Sequence, residues 1–239
     1  MKSLSQFKSD QRKSETQILF VPFFGAHRGA LQRHVEFVNG LGFDCYAIKL
    51  RDSFVPKFDH YFTSDLRFGK KHVWTEQIES ALNFIKGPKI VFSFSNPTAS
   101  AIQAISRRNA NDIKALICDG GPAENFVESF ENYFLHEMPI KNPLLRTTAA
   151  KSISLLWHHR LAHSVHQDLN LIPEGFKILS IRGWQDKLIT PEMIDLIFQP
   201  HANLDWRKLS LPKAGHLNGL KDFKGDYEPV VADFLKEVQ

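Results

Sequence analysis

The length and composition of the chain are those of a globular protein with one core. It has 239 residues, of which 43% are hydrophobic and 23% are charged. No apolar run approaches the roughly 18 residues needed to cross a bilayer, so no membrane span is expected. The polar residues 1–15 lack the apolar centre of a secretory signal, and we therefore predict a frayed leader and a cytoplasmic protein.

Charge and cysteine content argue against two further classes of protein. The net charge of +4 is spread over the whole chain, without the basic stripe and interleaved aromatic residues of a nucleic-acid-binding face. Cys45 and Cys118 each lie in an apolar run, where a free thiol usually packs as a small hydrophobic group. We therefore expect no nucleic-acid partner, no disulfide scaffold and no cysteine-based metal site.

The first half of the chain alternates between the patterns of strands and helices. Short apolar runs with β-branched and aromatic residues indicate strands, and apolar residues three or four positions apart indicate helices. Strands are predicted at residues 18–24, 43–50, 89–94 and 113–118, and helices at 30–41, at 74–85 and after Asn96. Residues 51–72 are predicted to form a polar and aromatic loop. Repeated β-α units of this kind predict an α/β fold, a doubly wound and mostly parallel sheet with helices on both faces.

The alternation is interrupted in the second half of the chain. Residues 123–172 show helical spacing of apolar side chains and no convincing strand pattern, which predicts an inserted helical cap. The remaining strands are predicted at 176–181 and 206–211, and the remaining helices after Pro191 and at 227–238. We predict a single domain over residues 1–239 that includes this cap.

One serine stands where a buried strand turns directly into a helix. Residues 89–94 end at Ser95, and the following pair favours a helix start, with Asn96 as the N-cap and Pro97 as the first helical residue. In G-x-S-x-G, the signature of a nucleophile at such a turn, small residues stand two positions before and after the serine. Here these positions hold Ser93, which is small, and Pro97, which departs from the pattern. The turn predicts that Ser95 presents its hydroxyl for attack on a substrate.

Two later loops carry the partners that a nucleophilic serine needs. Asp186 follows a predicted strand in the pattern G-x-x-D-x-x-x-x-P, and His216 follows the last strand in the pattern A-G-H. An imidazole accepts the proton of the hydroxyl, and a carboxylate fixes the tautomer of the imidazole and stabilises its charged form. With this order of serine, aspartate and histidine, the chain resembles the α/β-hydrolase superfamily over nearly its whole length. The resemblance implies that Ser95 is the nucleophile, Asp186 the acid and His216 the base.

The resemblance extends to the loop that would stabilise an oxyanion. Many members carry H-G-x-G after the first core strand, whereas this chain has Pro22-Phe-Phe-Gly25, of which only the last glycine matches. The resemblance implies that the backbone N–H groups of Phe24 and Asn96 are the two donors. Backbone donors need no particular side chain, so the missing His-Gly pair removes neither of them.

Two alternative assignments remain open in the sequence. Ser93 is a second candidate nucleophile, although it lies two residues inside the strand and not at the bend. Asp119 is a second candidate acid because it also follows a strand. The other interpretation of Asp119 is a turn residue whose carboxylate binds backbone amides ahead of two glycines.

The predicted cap contains four histidines. His159 and His163, and His163 and His166, are spaced so that each pair shares one side of a helix, and His158 is adjacent. No H-E-x-x-H motif or clear carboxylate partner accompanies them. We therefore expect partly exposed helix histidines and no metal site.

Aromatic residues of the cap and one loop histidine are candidates for substrate binding. Phe126, Phe130 and Trp157 either pack the cap onto the core or present an apolar wall to the substrate. His27, just after Gly25, either lines the mouth of the site or is an ordinary loop residue. A pocket lined by these aromatic rings favours an acyl or aromatic group over a sugar or a highly charged metabolite.

These expectations combine into one enzyme and several alternatives. We predict a serine hydrolase that cleaves a small-molecule ester or thioester through a covalent Ser95 intermediate, without a metal or organic cofactor. The alternatives are an acyltransferase or peptidase with the same triad, or an inactive hydrolase-like binding protein. Nothing in the sequence predicts an oligomeric state.

Overall fold

The computed structural model describes residues 3–27, 29–51, 69–108, 112–158 and 161–239, and a seven-stranded sheet lies at the centre of these residues. The strands are β1 (Leu4–Phe7), β2 (Gln17–Val21), β3 (Cys45–Ile48), β4 (Lys89–Phe94), β5 (Ile113–Asp119), β6 (Lys177–Gly183) and β7 (Asp205–Leu211). Their order across the sheet is β1-β3-β2-β4-β5-β6-β7. Only β1 runs antiparallel to its neighbour, so the predicted parallel character of the sheet is confirmed.

Helices cover both faces of this sheet. They are α1 (Gln32–Gly40), α2 (Lys70–Phe84), α3 (Thr98–Ser106), α4 (Phe126–His136), α5 (Pro143–Trp157), α6 (Leu161–Asn170), α7 (Pro191–Phe198), α8 (Gly219–Asp222) and α9 (Lys224–Glu237). Helices α1, α8 and α9 pack on one face, and α2, α3 and α7 pack on the other. This is the predicted doubly wound α/β arrangement. Within the described residues, no helix has both the length and the apolar character required to cross a bilayer.

The central strands are buried on both sides, so the protein has two apolar layers. Along β2, Ile18 and Phe20 join the layer under α1 and α9, whereas Leu19 and Val21 join the layer under α2 and α3. Successive side chains of a strand point to opposite faces, which explains the division. It also explains why the parallel strands appear in the sequence as continuous apolar runs.

Helices α4, α5 and α6 form an insertion between β5 and β6. Their buried residues, among them Phe130, Trp157 and Leu169, continue the apolar layer on the side of α2 and α3. The helical pattern predicted for residues 123–172 is confirmed. The limits of a single domain and of its cap stay predictions.

The prediction of a frayed leader at residues 1–15 is wrong for part of this segment. Strand β1 pairs antiparallel with β3, with Leu4 opposite Ile48 and Phe7 opposite Cys45. An edge strand needs only backbone pairing on one side, and the two central residues of β1 are exposed. The segment therefore shows no apolar alternation from which a strand could be predicted.

The predicted loop at residues 51–72 is only partly covered, because residues 52–68 lie outside the described residues. The prediction of a loop is wrong for its last residues, since α2 begins at Lys70. The side chain of Lys71 is fully buried, and its Nζ donates to Ser164 Oγ and Asp168 Oδ2. Burial lowers the pKa of Lys71, and the charge of Asp168 opposes that shift. This partner comes from α6, so the local sequence pattern does not show that the first turn of α2 is buried.

Both cysteines pack as the sequence predicts. Cys45 in β3 and Cys118 in β5 are buried free thiols. Burial, together with the charge of Asp44, raises the pKa of Cys45 to about 12, so this thiol stays protonated at neutral pH.

Candidate active site

Ser95 occupies the turn between β4 and α3. Its φ angle is 56°, in the left-handed region that residues other than glycine rarely adopt. The backbone fixes this conformation, because Ser95 N donates to the Asp119 carbonyl at 2.8 Å and the Ser95 carbonyl accepts from Thr98 N at 3.1 Å. Backbone strain of this kind concentrates at functional sites, where the surrounding structure maintains it.

His216 lies between Ser95 and Asp186. Its Nε2 is 3.2 Å from Ser95 Oγ, and its Nδ1 is 2.7 Å from Asp186 Oδ2. The other carboxylate oxygen of the buried Asp186 accepts from the N–H groups of Leu188 at 2.8 Å and Ile189 at 3.0 Å. When Nδ1 carries the proton and donates it to Asp186, Nε2 is free to accept from the Ser95 hydroxyl. Three residues from separate loops thus form one chain of hydrogen bonds.

Two glycines near the carboxyl ends of β5 and β6 allow these three loops to approach one another. A Cβ atom on Gly121 would lie 2.6 Å from the carbonyl carbon and oxygen of Ser95. A Cβ atom on Gly183 would lie 2.3 Å from the carbonyl oxygen of Ala214, in the loop that precedes His216. The loop after β5 can therefore approach Ser95 because it carries a glycine. In the G-x-S-x-G signature the glycine is instead two residues after the serine, where this chain has Pro97. The Gly-Gly pair after Asp119, which in the sequence indicates only a turn, is the feature that makes this approach possible.

The predicted start of the helix behind Ser95 is wrong by one residue. Helix α3 begins at Thr98, Pro97 precedes it as the N-cap residue, and no side chain caps the helix. The Asn96 side chain instead donates to Ser129 Oγ at 3.1 Å and accepts from the Ala123 N–H at 3.1 Å. Backbone carbonyls of the turn already accept from the first amides of α3, so a side-chain cap is not needed. The Asn96 side chain therefore connects the turn at Ser95 to the inserted segment by two hydrogen bonds.

The two residues predicted to supply the oxyanion donors line the same cavity as Ser95. Phe24 follows β2 and Asn96 follows β4, two adjacent parallel strands, and both residues line the cavity that contains Ser95. Within the described part of the chain, neither backbone N–H donates to a protein acceptor. Both amides are therefore available to an oxygen atom of a substrate, and their role stays a prediction.

The side chains of Ser93 and Asp119, the alternative nucleophile and acid, bind partners other than His216. Ser93 is fully buried, and its Oγ accepts from the Thr98 hydroxyl at 3.0 Å. The buried Asp119 carboxylate accepts from the Tyr227 hydroxyl at 2.8 Å and from no backbone amide of the described residues, so its interpretation as a turn residue that binds backbone amides is wrong. Burial raises the pKa of Tyr227, and the nearby Asp119 charge raises it further, which keeps this hydroxyl protonated as a donor.

We expect Tyr227→Phe to lower the free energy of unfolding by about 1–3 kcal/mol, because it removes the hydroxyl donor of a buried carboxylate. Urea unfolding followed by circular dichroism measures this difference. Tyr46→Phe is the control, since the hydroxyl of the buried Tyr46 has no hydrogen bond among the described residues. Equal losses in the two variants would contradict a stabilising role of the Asp119–Tyr227 bond.

Solved structures with the same architecture are known. The esterase Pf2001 of Pyrococcus furiosus has a TM-score of 0.70 at 14% identity, over 98% of this chain and 90% of that chain. A monoacylglycerol lipase of Paleococcus ferrophilus has a TM-score of 0.64 at 14% identity, over 99% of this chain and 98% of that chain. Mouse alpha/beta hydrolase domain-containing protein 10 has a TM-score of 0.66 at 16% identity, over 99% and 94%. The chain has the α/β-hydrolase fold.

The α/β-hydrolase fold is thus established by structure and not by sequence comparison. The sequence matches no protein-family model and no curated protein. The predicted resemblance to the superfamily is confirmed at the level of the fold. The loops of Ser95, Asp186 and His216 follow β4, β6 and β7, in the order predicted for a nucleophile, an acid and a histidine, and these roles stay predictions.

Within the α/β-hydrolase fold, a cavity of about 890 Å³ contains Ser95 and His216 in its lining. Of the four residues predicted to bind substrate, His27, Phe130 and Trp157 line this cavity. The prediction for Phe126 is wrong, because its buried ring packs 5.0 Å from the ring of Phe130 and 4.9 Å from that of Trp157. These two ring contacts place Phe126 in the apolar core, where it packs behind Phe130 and Trp157, the aromatic residues that line the cavity.

The cap histidines are only partly as predicted. His158 is buried, so the prediction of partial exposure is wrong for it, and His159 lies outside the described residues. His163 is exposed, whereas His166 Nδ1 lies 2.9 Å from Nε2 of the buried His201. In the part of the chain that the structure describes, no three His, Cys, Asp or Glu side chains are grouped to hold a metal ion.

Proposed function

We propose that this protein is a serine hydrolase that cleaves a carboxylic ester or thioester with an apolar acyl or aromatic group. The observation that carries the proposal is the strained Ser95, 3.2 Å from His216 Nε2, with Asp186 2.7 Å from the other nitrogen of the ring. A serine hydroxyl is a poor nucleophile until a neighbouring base accepts its proton. Two proteins of this fold, the esterase Pf2001 and a monoacylglycerol lipase, are by name enzymes of ester chemistry.

The proposed reaction begins with attack of Ser95 Oγ on the carbonyl carbon of the substrate. His216 Nε2 takes the hydroxyl proton, and Asp186 stabilises the resulting imidazolium. The carbonyl oxygen becomes an oxyanion that accepts from the backbone N–H groups of Phe24 and Asn96, each of which contributes about 3 kcal/mol in sites of this kind. His216 then returns the proton to the leaving oxygen or sulfur, and the carbon–heteroatom bond breaks. Water repeats the sequence on the acyl-enzyme, releasing the acid and restoring the Ser95 hydroxyl.

We further propose that the inserted helices act as a cap over the acyl group, within a single domain of residues 1–239. The support is an apolar wall of the cavity formed by Phe130 and Tyr133 of α4 and Trp157 of α5. Burial of one methylene group is worth about 0.8 kcal/mol, or about fourfold in affinity. Lengthening of the acyl chain should therefore raise kcat/KM until the cavity is filled.

A series of p-nitrophenyl esters of increasing acyl length tests this proposal. We expect kcat/KM of the wild type to rise from the acetyl to the hexanoyl ester, and Phe130→Leu to reduce this rise by removing part of the apolar wall. Phe134→Leu is the matched control, because Phe134 is equally buried one helical turn away and does not line the cavity. A wild-type preference for the acetyl ester, with no gain on lengthening, would contradict an acyl pocket.

Product analysis separates hydrolysis from acyl transfer and peptide cleavage, which use the same three residues. Hydrolysis predicts the free carboxylic acid as the product even when an alcohol or amine is added. Transfer of the acyl group to the added alcohol as the main product would instead indicate an acyltransferase. If the folded wild type turned over no ester, thioester or amide, the remaining alternative would be an inactive hydrolase-like binding protein.

A further inference from the structure

The cavity at Ser95 is lined by aromatic side chains from some helices and by cationic side chains from others. Helices α4 and α5 contribute aromatic side chains, whereas α1 contributes Arg33 and α8 contributes Lys221. Since α1 and α8 pack against each other, the two cations belong to one side of the cavity. Among the described lining residues the one carboxylate is that of Glu137, which directly follows α4.

Among the residues that the structure describes, neither cation has a strong ion pair with an acidic side chain. Within the described residues, Arg33 has no acidic partner. Lys221 Nζ is 3.9 Å from Asp222 Oδ1, and the two side chains are 59% and 40% exposed. An exposed ion pair at this distance is weak, so the charge of Lys221 remains available to a ligand.

The chemistry of the proposed reaction determines which end of the substrate faces these cations. His216 must deliver a proton to the leaving oxygen or sulfur, so the leaving group lies beside His216. Helix α8 begins at Gly219, directly after the His216 loop. The acyl group then lies toward the aromatic rings, and the leaving group extends along α8 and α1.

We infer that the leaving alcohol or thiol carries a phosphate group, which Arg33 and Lys221 bind. The inference rests on the proposed function and specifies its substrate class. A phosphate monoester carries a charge of about −1.5 to −2 at neutral pH. This charge balances two cations more closely than the single negative charge of a carboxylate would. A guanidinium binds phosphate oxygens through two parallel hydrogen bonds, and an ammonium adds a compact charge. Arg33 and Lys221 are therefore specificity residues for the leaving group.

Two thioesters with the same acyl group test this inference. S-butanoyl coenzyme A carries phosphates on its leaving thiol, whereas S-butanoyl-N-acetylcysteamine has the same thioester bond and no charge. We expect the wild type to have a higher kcat/KM for the coenzyme A thioester, and the ratio of the two values to fall with added salt. The double variant Arg33→Gln/Lys221→Gln should lower this ratio about tenfold, as expected for loss of two partly exposed charge contacts.

The control is Lys224→Gln/Lys236→Gln, which removes the same charge from exposed lysines outside the cavity lining. Its ratio should stay within about twofold of the wild type, since neither lysine lines the cavity. An unchanged ratio in Arg33→Gln/Lys221→Gln, or an equal fall in the control, would overturn the inference while hydrolysis of the neutral thioester still supported the proposed function. Failure of the wild type to cleave either thioester would also overturn the inference, and the proposed function would fall with it only if p-nitrophenyl esters were not cleaved either.

Discussion

Ser95→Ala is expected to lower kcat for ester hydrolysis by about 10⁴- to 10⁶-fold, the size of effect seen when a serine nucleophile is removed. The variant keeps a Cβ atom, so the left-handed backbone at this position is no more strained than in the wild type. The neighbouring hydrogen bonds of the turn are made by the backbone and also remain. Steady-state kinetics with a p-nitrophenyl ester, together with the melting temperature, measures the effect on activity separately from that on stability.

Ser93→Ala is the matched control for this experiment. Ser93 lies in β4, the strand that leads to Ser95, and its hydroxyl accepts from Thr98, with no hydrogen bond to His216 among the described residues. We expect Ser93→Ala to lose about 1–3 kcal/mol of stability, because the buried Thr98 hydroxyl loses its acceptor, and to keep its rate within a few-fold of the wild type. The assignment of Ser95 as nucleophile would be wrong if Ser95→Ala kept more than about a hundredth of the wild-type rate, given this expected effect.

The second large effect is expected for Gly121→Ala. A Cβ atom at this position would lie 2.6 Å from two backbone atoms of Ser95, closer than non-bonded carbon and oxygen atoms approach. The loop after β5 or the turn at Ser95 must then move. Because displacement of a reacting group by about 1 Å can cost about 10²-fold in rate, we expect kcat/KM to fall by at least that factor. The melting temperature should fall as well, since both segments are packed at the edge of the sheet.

Gly225→Ala provides the control for a glycine substitution. No heavy atom lies within 4 Å of a Cβ atom built on Gly225, which is in α9. We expect an unchanged rate and an unfolding free energy raised by up to about 1 kcal/mol, because alanine favours a helix over glycine. Full activity and stability of Gly121→Ala would show that the loop after β5 does not fix the position of Ser95.

The fold and the three candidate catalytic residues could be predicted from sequence because each depends on a local pattern. The parallel strands β4 and β5 are buried on both faces and appear as continuous apolar runs. Ser95, Asp186 and His216 follow β4, β6 and β7, and parallel strands bring their carboxyl ends to one edge of the sheet. The structure then brings these residues into one hydrogen-bonded chain.

The remaining features depend on contacts between distant segments. Phe126 and Phe130 lie one turn apart on α4, so helical spacing gives them the same side and does not show that only Phe130 reaches the cavity. The Asn96 side chain was expected to cap α3, but its partners Ser129 and Ala123 belong to a segment whose position depends on the tertiary fold. The approach of Gly121 to Ser95 is likewise a contact between two loops.

Covalent labelling with a fluorophosphonate tests the central claim of an activated Ser95 most directly. Such a probe forms a phosphonyl adduct with a serine whose proton a neighbouring base accepts, and mass spectrometry of the digested protein locates the adduct. We predict that wild-type protein carries the adduct on Ser95, that His216→Ala reacts much more slowly, and that Ser95→Ala does not react. Folded wild-type protein that carries no adduct, or carries it on Ser93, would contradict this account.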